Sequence, residues 1–195
     1  MSLVQAVLCD RFVLVCGEQQ ANFQDGQILH GLRKVYKLNK DVVIGLAGTV
    51  EDNFCLFQDY LNQDFTMKED CRDTLAEVFA KVTERHREMA ASQEPLSVFS
   101  LVCGWNGYGF EAKTFYLDSA GGEITDIRPM GPEDAKLITC GLQRHYDNFI
   151  ACQRTHGSSI SGLKKAFQNV LSLGLLFDES IDADAQFELI ERPEL

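Results

Sequence analysis

The sequence predicts an α+β fold, a four-layer αββα sandwich in which two stacked antiparallel sheets are flanked by helix pairs. Apolar runs at strand spacing open the chain, and the later runs follow the order two helices, strands, two helices, strand. Because helices come in pairs and do not alternate with strands, this order excludes a doubly wound parallel sheet. A chain of 195 residues with 45% apolar residues is expected to form one domain, 1–195.

The opening strands are predicted by four short apolar runs: Val4–Leu8, Phe12–Cys16, Val35–Leu38 and Val42–Leu46. Asp10 and Asn39 lie between paired runs, where side chains that bond to the neighbouring backbone favour turns. Two antiparallel hairpins are therefore expected.

The remaining elements follow from changes in apolar spacing. Thr49 with Asp52 three residues later resembles a capping box and predicts the start of the first helix, and a second helix is expected up to about Ser92. The other predicted elements are strands over 96–103, 110–118, 123–127 and 136–139, helices that begin near Leu142 and Ile160, and a last strand around Phe187.

Composition excludes several classes of partner. The chain has 29 Asp and Glu against 18 Lys and Arg, a net charge of -11, so nucleic acid is not an expected partner. No apolar run approaches the roughly 20 residues that span a bilayer, and no signal peptide is recognisable, so no membrane association is expected.

Cysteine usage predicts a reducing compartment. The seven cysteines are odd in number, scattered and mostly within apolar runs, which is typical of buried thiols in a cytoplasmic protein. Metal ligation is the alternative, but no Cys-x-x-Cys or His-x-x-x-His spacing supports it. No metal or cofactor is expected, and each of the four histidines is interpreted as a surface or packing residue.

The glycine-rich segment 104–109 lacks the GxGxxG spacing of a nucleotide loop and joins two predicted strands. A hairpin turn is the preferred interpretation. Trp105 and Tyr108 near its tip leave a contact surface open as an alternative.

The opening segment also resembles a known family in the order of its residues. The segment begins with a strand at Val4–Leu8, a tight turn at Asp10-Arg11 and a second strand at Phe12–Cys16. It continues with a glycine, Gly26, and with a lysine that opens an apolar-x-Lys-apolar strand at Lys34–Leu38. It ends in a glycine-containing turn at Ile44–Gly48. The chain resembles proteasome subunits and the related bacterial HslV peptidase, which are N-terminal nucleophile hydrolases. The resemblance extends over nearly all of the chain and implies the αββα sandwich independently.

In that family the nucleophile is the side chain of the first mature residue, with its own α-amino group as base. Aligned without a gap, this position falls on Met1, whose thioether cannot form an acyl intermediate. Ser2 is the nearby alternative if Met1 is removed, although strand alternation would turn Ser2 away from the site unless the register shifts. An alternative interpretation is that Met1 to Leu3 are an expression artefact that replaces the native start.

The resemblance assigns further site residues with mixed agreement. Lys34 matches the family lysine that lowers the pKa of the terminal amine, and a solvated strand-end lysine is the alternative. The family aspartate falls on Gly17, with Glu18 one residue late. The family's Gly-Ser-Gly turn falls on residues 140–142, which begin with Cys140 and lack the serine hydroxyl.

Asp178 and Ser180 occupy the place of a motif that occurs late in the family sequences. The alternative interpretation is that both are solvent-exposed residues at the end of a helix. Gly45 and Gly48 are candidates for the close approach of a substrate strand or oxyanion, and a simple strand-to-helix turn explains them equally well.

Two functional hypotheses remain. The favoured one is a non-catalytic or degenerate proteasome-like subunit that self-assembles into a ring or shell, because several site positions are altered together. The alternative is an active self-compartmentalising peptidase that uses Ser2, with Lys34 as its electrostatic partner. The resemblance implies a homo-oligomer, a peptide or unfolded-protein substrate and a partner ATPase.

Overall fold

The computed structural model describes residues 2–23, 25–61, 71–92, 96–131 and 133–193. Met1, the position on which the aligned family nucleophile falls, lies outside the described residues. The strands are β1 (Val4–Leu8), β2 (Phe12–Glu18), β3 (Ala21–Asn22), β4 (Ile28–Leu29), β5 (Val35–Lys37), β6 (Val42–Gly48), β7 (Val98–Trp105), β8 (Phe110–Asp118), β9 (Gly121–Ile127), β10 (Lys136–Cys140) and β11 (Ala185–Glu191). The helices are α1 (Val50–Leu56), α2 (Leu75–Ala91), α3 (Gln143–His156) and α4 (Ile160–Gly174).

The strands form two main antiparallel sheets. One sheet has the order β10-β1-β2-β11, and the other has the order β5-β6-β7-β8-β9. Their inner faces share an apolar core that includes Val4, Val15, Val43 and Leu101. Strand β2 is buried along its whole length because helices cover the other face of its sheet.

Each helix pair covers one outer face. Phe57 and Val78 belong to the core between α1, α2 and the five-stranded sheet, while Phe149 and Phe167 belong to the core between α3, α4 and the four-stranded sheet. The predicted αββα sandwich is therefore confirmed, with both expected hairpins in place.

Two local predictions differ from the structure. The side chain of Thr49 makes no capping hydrogen bond to α1, and the Asp52 carboxylate accepts a hydrogen bond of 3.0 Å from the Ser97 N–H. The short pair β3 and β4 was not predicted, since its two-residue strands are too short to show an alternating pattern.

The segment 104–109 is a hairpin turn between β7 and β8, in which Trp105 packs edge-on against Phe110.

Candidate functional site

A pocket of about 710 Å³ opens beside the first described residue of the chain. Ser2 forms one side of it, and the end of β6 together with the start of α1 forms the opposite side. The segment that connects β2 to β5 supplies the remaining walls. The pocket therefore lies between the N-terminal segment and the β5–β6 side of the five-stranded sheet.

Lys34 is the centre of the polar network at this pocket. Its ammonium group donates a hydrogen bond of 2.9 Å to Ser2 Oγ, and it also contacts Glu18 Oε1 and the Gln20 carbonyl oxygen. The Lys34 backbone N–H donates to Gln186 Oε1 at 2.7 Å, which fixes the lysine against β11. Lys34 is buried, so the alternative of a solvated strand-end lysine is wrong.

Glu18 is the acidic partner of this lysine, and its position at the end of β2 is fully buried. Its carboxylate also accepts hydrogen bonds from the backbone N–H groups of Leu3, at 3.3 Å, and Gln20, at 2.6 Å. Glu18 therefore links the N-terminal segment to Lys34. A buried charge satisfied in this way is expected to hold its neighbours in a defined geometry.

Burial changes the proton affinity of both partners. It lowers the pKa of Lys34, and the neighbouring Glu18 carboxylate partly offsets that effect. Burial likewise raises the pKa of Glu18, against the opposing influence of Lys34 and of the backbone donors. The lysine consequently releases a proton more readily than an exposed lysine does.

Two contacts of Lys34 bear on the sequence alignment. The expectation that Ser2 faces away from the site is wrong, because its hydroxyl is the one that Lys34 contacts. Glu18, one residue after the position on which the family aspartate falls, is the acidic residue paired with Lys34. Met1 and Gly17 each lie one residue before Ser2 and Glu18, so a single shift upstream of Lys34 would bring both contacts into family order.

Gly17 and Gly45 serve packing between the sheets. A Cβ atom on Gly17 would lie 2.7 Å from Val35 Cγ2, and one on Gly45 would lie 2.7 Å from Val4 Cγ1. Both positions need glycine because side chains of the opposite sheet occupy that space. Neither glycine lines the pocket.

Gly48 does line the pocket, at the end of β6. Its φ is +97°, and a Cβ atom would lie 2.1 Å from the Ser97 carbonyl oxygen. Thr49 N–H bonds to that carbonyl at 2.7 Å, whereas Leu46 N–H bonds to the Lys34 carbonyl at 2.8 Å on the other edge of β6. Successive N–H groups of a strand point to opposite edges, so the Gly48 N–H is directed to the edge where Lys34 and the pocket lie.

Cys140 lies outside the pocket lining, at the end of β10 opposite Val4. Burial raises the pKa of its thiol, so it is poorly suited to act as a nucleophile. The adjacent Gly141 packs on the N-terminal segment, since a Cβ atom there would lie 2.7 Å from Leu3 Cδ1 and 3.8 Å from the Ser2 carbonyl oxygen. The turn at Gly141 therefore packs against the backbone next to Ser2.

Asp178 and Ser180 belong to a second polar cluster, after α4. Asp178 is buried, so the alternative of a solvent-exposed residue is wrong for it. Its carboxylate accepts hydrogen bonds from the Ser180 N–H, at 3.0 Å, and from the Ser180 hydroxyl, and it lies 3.0 Å from His145 Nε2. Burial tends to raise the pKa of Asp178, but the bonds from Ser180 and His145 bring it below its usual range.

This second cluster is connected to the first through the loop 178–182. Gln20 Nε2 donates to the Glu179 carbonyl oxygen at 2.9 Å, and Gln19 N–H donates to Asp182 Oδ1 at 2.9 Å. Asn22 Nδ2 donates to the Ser180 carbonyl oxygen at 3.0 Å. The loop thus fixes the segment whose Gln20 carbonyl contacts Lys34.

Sequence reasoning named Glu18 only as an acidic residue one place after the family position, and it gave His145 no role in a polar cluster. Glu18 carries a recognisable signal, a lone acidic residue directly after an apolar strand, whereas nothing in sequence connects His145 with Asp178.

Across the described residues, no group of three or more His, Cys, Asp or Glu side chains has a geometry that could hold a metal ion. No helix in the described ranges is long and apolar enough to cross a membrane.

The architecture defines the fold class. An αββα sandwich of two antiparallel sheets between helix pairs is the N-terminal nucleophile hydrolase fold. The sequence model of the proteasome subunit family matches residues 3–167. The chain belongs to the proteasome subunit family.

Solved structures of the same fold agree with this assignment. HslV from Trypanosoma brucei aligns with a TM-score of 0.60 at 18% identity, over 97% of this chain and 99% of the other. A Gly-1 mutant of Anbu from Hyphomicrobium sp. strain MC1 aligns with a TM-score of 0.69 at 12% identity, over 98% of this chain and 82% of the other. Anbu, described as an ancestral beta-subunit, from Yersinia bercovieri gives 0.68 at 12% identity, over 97% and 81%. No curated protein sequence matches the chain significantly.

Proposed function

We propose that this proteasome-family subunit is an amide hydrolase whose nucleophile is the Ser2 hydroxyl, exposed at the chain terminus by removal of Met1. The observation that carries the proposal is the 2.9 Å contact between Ser2 Oγ and the ammonium group of Lys34, which is itself held by the buried Glu18. The same hydroxyl lines a pocket large enough for a substrate side chain.

The proposed reaction begins with proton transfer from the Ser2 hydroxyl to the free α-amino group of the same residue. An α-amino group has a pKa of about 7.7 to 8.0 in model peptides, so a useful fraction is neutral near neutral pH. The charge of Lys34 at 2.9 Å stabilises the developing alkoxide and favours the neutral amine. A tightly held lysine therefore serves both requirements of the nucleophile.

Ser2 Oγ then forms a bond to the substrate carbonyl carbon, and the carbonyl oxygen acquires the negative charge. The direction of the Gly48 N–H towards the pocket makes it the proposed donor to this oxyanion. The amine returns its proton to the leaving nitrogen as the amide C–N bond breaks. Water then attacks the Ser2 ester and releases the acid product, which regenerates the hydroxyl.

The intact mass of the natural-start protein, with and without a peptide epoxyketone, tests the proposal. The epoxyketone reacts with both the hydroxyl and the amine of a terminal serine. We expect a chain without Met1 that gains one inhibitor mass, and no adduct on Ser2→Ala. Ser97→Ala is a matched control, because Ser97 also lines the pocket but contacts neither Lys34 nor Glu18 in the described structure.

Retention of Met1 without an adduct would contradict the catalytic proposal. The non-catalytic subunit that the sequence favoured would then be the better account, with the Lys34–Glu18 pair fixing the chain start for assembly. Homo-oligomer formation and a cytoplasmic location are parts of the proposal under either outcome, while a peptide or unfolded-protein substrate and a partner ATPase belong to the catalytic one. Light scattering of the purified protein checks the oligomer.

A further inference from the structure

We infer that the pocket beside Ser2 selects substrates with a lysine or arginine side chain at the residue whose carbonyl is attacked. This inference rests on the proposed function and adds the substrate class to it. It follows from the distribution of apolar surface and of charged side chains around the pocket.

The floor of the pocket is apolar. Tyr36, Leu46 and Ala47 are buried there, and Leu32 and Val50 are half-buried beside them. A volume of about 710 Å³ accommodates a long side chain. The methylene stem of a lysine or arginine is well suited to such a surface, because these side chains pack their stems on apolar atoms and keep the charged end near water.

The two cations of the lining are already neutralised. Arg33 forms an ion pair of 3.0 Å with Glu188, and it also donates to the Val35 carbonyl. Lys34 is paired with the buried Glu18. Neither residue therefore offers an uncompensated positive charge to a substrate.

Two carboxylates of the lining have no such compensation. Asp25 and Glu51 are exposed, and neither has a Lys or Arg partner within the described residues. The net charge of -11 adds to the negative potential. A cationic side chain is favoured here, and an acidic one is repelled.

The test compares two peptides that differ only at the residue before the scissile bond, lysine in one and norleucine in the other. The two side chains share the apolar stem, so the ratio of their kcat/KM values isolates the charge. We expect the natural-start protein to favour lysine by roughly tenfold, from two exposed ion pairs that contribute a few-fold each. The preference should weaken as salt is raised.

The double variant Asp25→Asn with Glu51→Gln should reduce this ratio to about 1 to 2, since the charge is removed while the shape is kept. Glu84→Gln is the matched control, because Glu84 lies on the exposed side of α2, outside the pocket lining. The control should keep the lysine preference. A ratio of 1 or less in the unmodified protein, or an unchanged ratio in the double variant, overturns the inference.

A binding measurement separates this inference from the catalytic proposal. Fluorescence anisotropy of the two labelled peptides on Ser2→Ala reports affinity without turnover. Tighter binding of the lysine peptide supports the inference even if the protein forms no epoxyketone adduct, whereas equal binding overturns it. Cleavage of both peptides at equal rates would leave the proposed function intact and reject only the basic preference.

Discussion

Two buried acid–base pairs lie close to the start of the chain, and they differ in what they face. Lys34 and Glu18 border the pocket and reach the Ser2 hydroxyl, whereas His145 and Asp178 lie behind the turn at Gly141. Burial and pairing are common to both, so they do not distinguish a reactive site from a structural one. The difference is access to a pocket and to a hydroxyl group.

The two pairs also differ in what would remain after one partner is removed. Loss of Lys34 leaves the fully buried Glu18 carboxylate without a cation, while loss of the Asp178 charge leaves a neutral amide that can still bond to Ser180. We therefore expect substitutions at the first pair to cost more stability and more activity than those at the second.

The largest effect is expected from Lys34→Met. Breaking a buried ion pair costs about 3 to 5 kcal/mol, because the remaining charge is uncompensated. The turnover of an amide substrate should fall by about 10² to 10³, the usual cost of removing one group that stabilises developing negative charge. Urea unfolding and the rate of peptide hydrolysis measure the two effects. Lys165→Met, on a helix away from the pocket, is the control. Unchanged hydrolysis in a folded Lys34→Met protein would contradict the role given to Lys34.

An intermediate effect is expected when both partners are replaced, in Glu18→Leu with Lys34→Met. Apolar replacement of a whole buried pair is often neutral for stability, so the double variant should unfold at higher urea than Lys34→Met alone. Recovery should be incomplete, because the N–H groups of Leu3 and Gln20 lose their acceptor. Hydrolysis should stay as slow as in Lys34→Met, because the charge beside Ser2 is still missing. A double variant less stable than the single one would show that the pair is not energetically coupled in this way.

The same comparison explains which features sequence could predict. The sheets and helix pairs were predictable because apolar spacing is a local property of each segment, as in β2 and α4. Lys34 was recognisable because it precedes an apolar strand in family order. The contacts of Ser2 and Glu18 depend on strand register, where an error of one residue reverses the side-chain direction. Asp178 and His145 are 33 residues apart in sequence and meet only through helix packing, which no local pattern contains.

The smallest effect is expected at the second pair, in Asp178→Asn. The pKa of Asp178 is below its usual range in the folded protein, so the unfolded chain binds this proton more tightly. Its carboxylate therefore contributes stability above the unfolded value of about 3.9, and this contribution is lost as the pH falls through the lower folded pKa. At pH 6 the variant should be less stable by about 1 to 2 kcal/mol, from weakened hydrogen bonds to a charged group.

Urea unfolding at pH 6 and at about pH 3 measures this dependence. The difference between the natural-start protein and Asp178→Asn should shrink at the lower pH, because protonation removes the charge that the substitution removes. Asp184→Asn, an exposed residue in the same connection, is the control and should show little difference at either pH. The variant should still form the epoxyketone adduct, since Asp178 does not line the pocket beside Ser2. A lost adduct in a folded Asp178→Asn protein would mean that the two pairs act as one site, joined through the loop that bonds to Gln20.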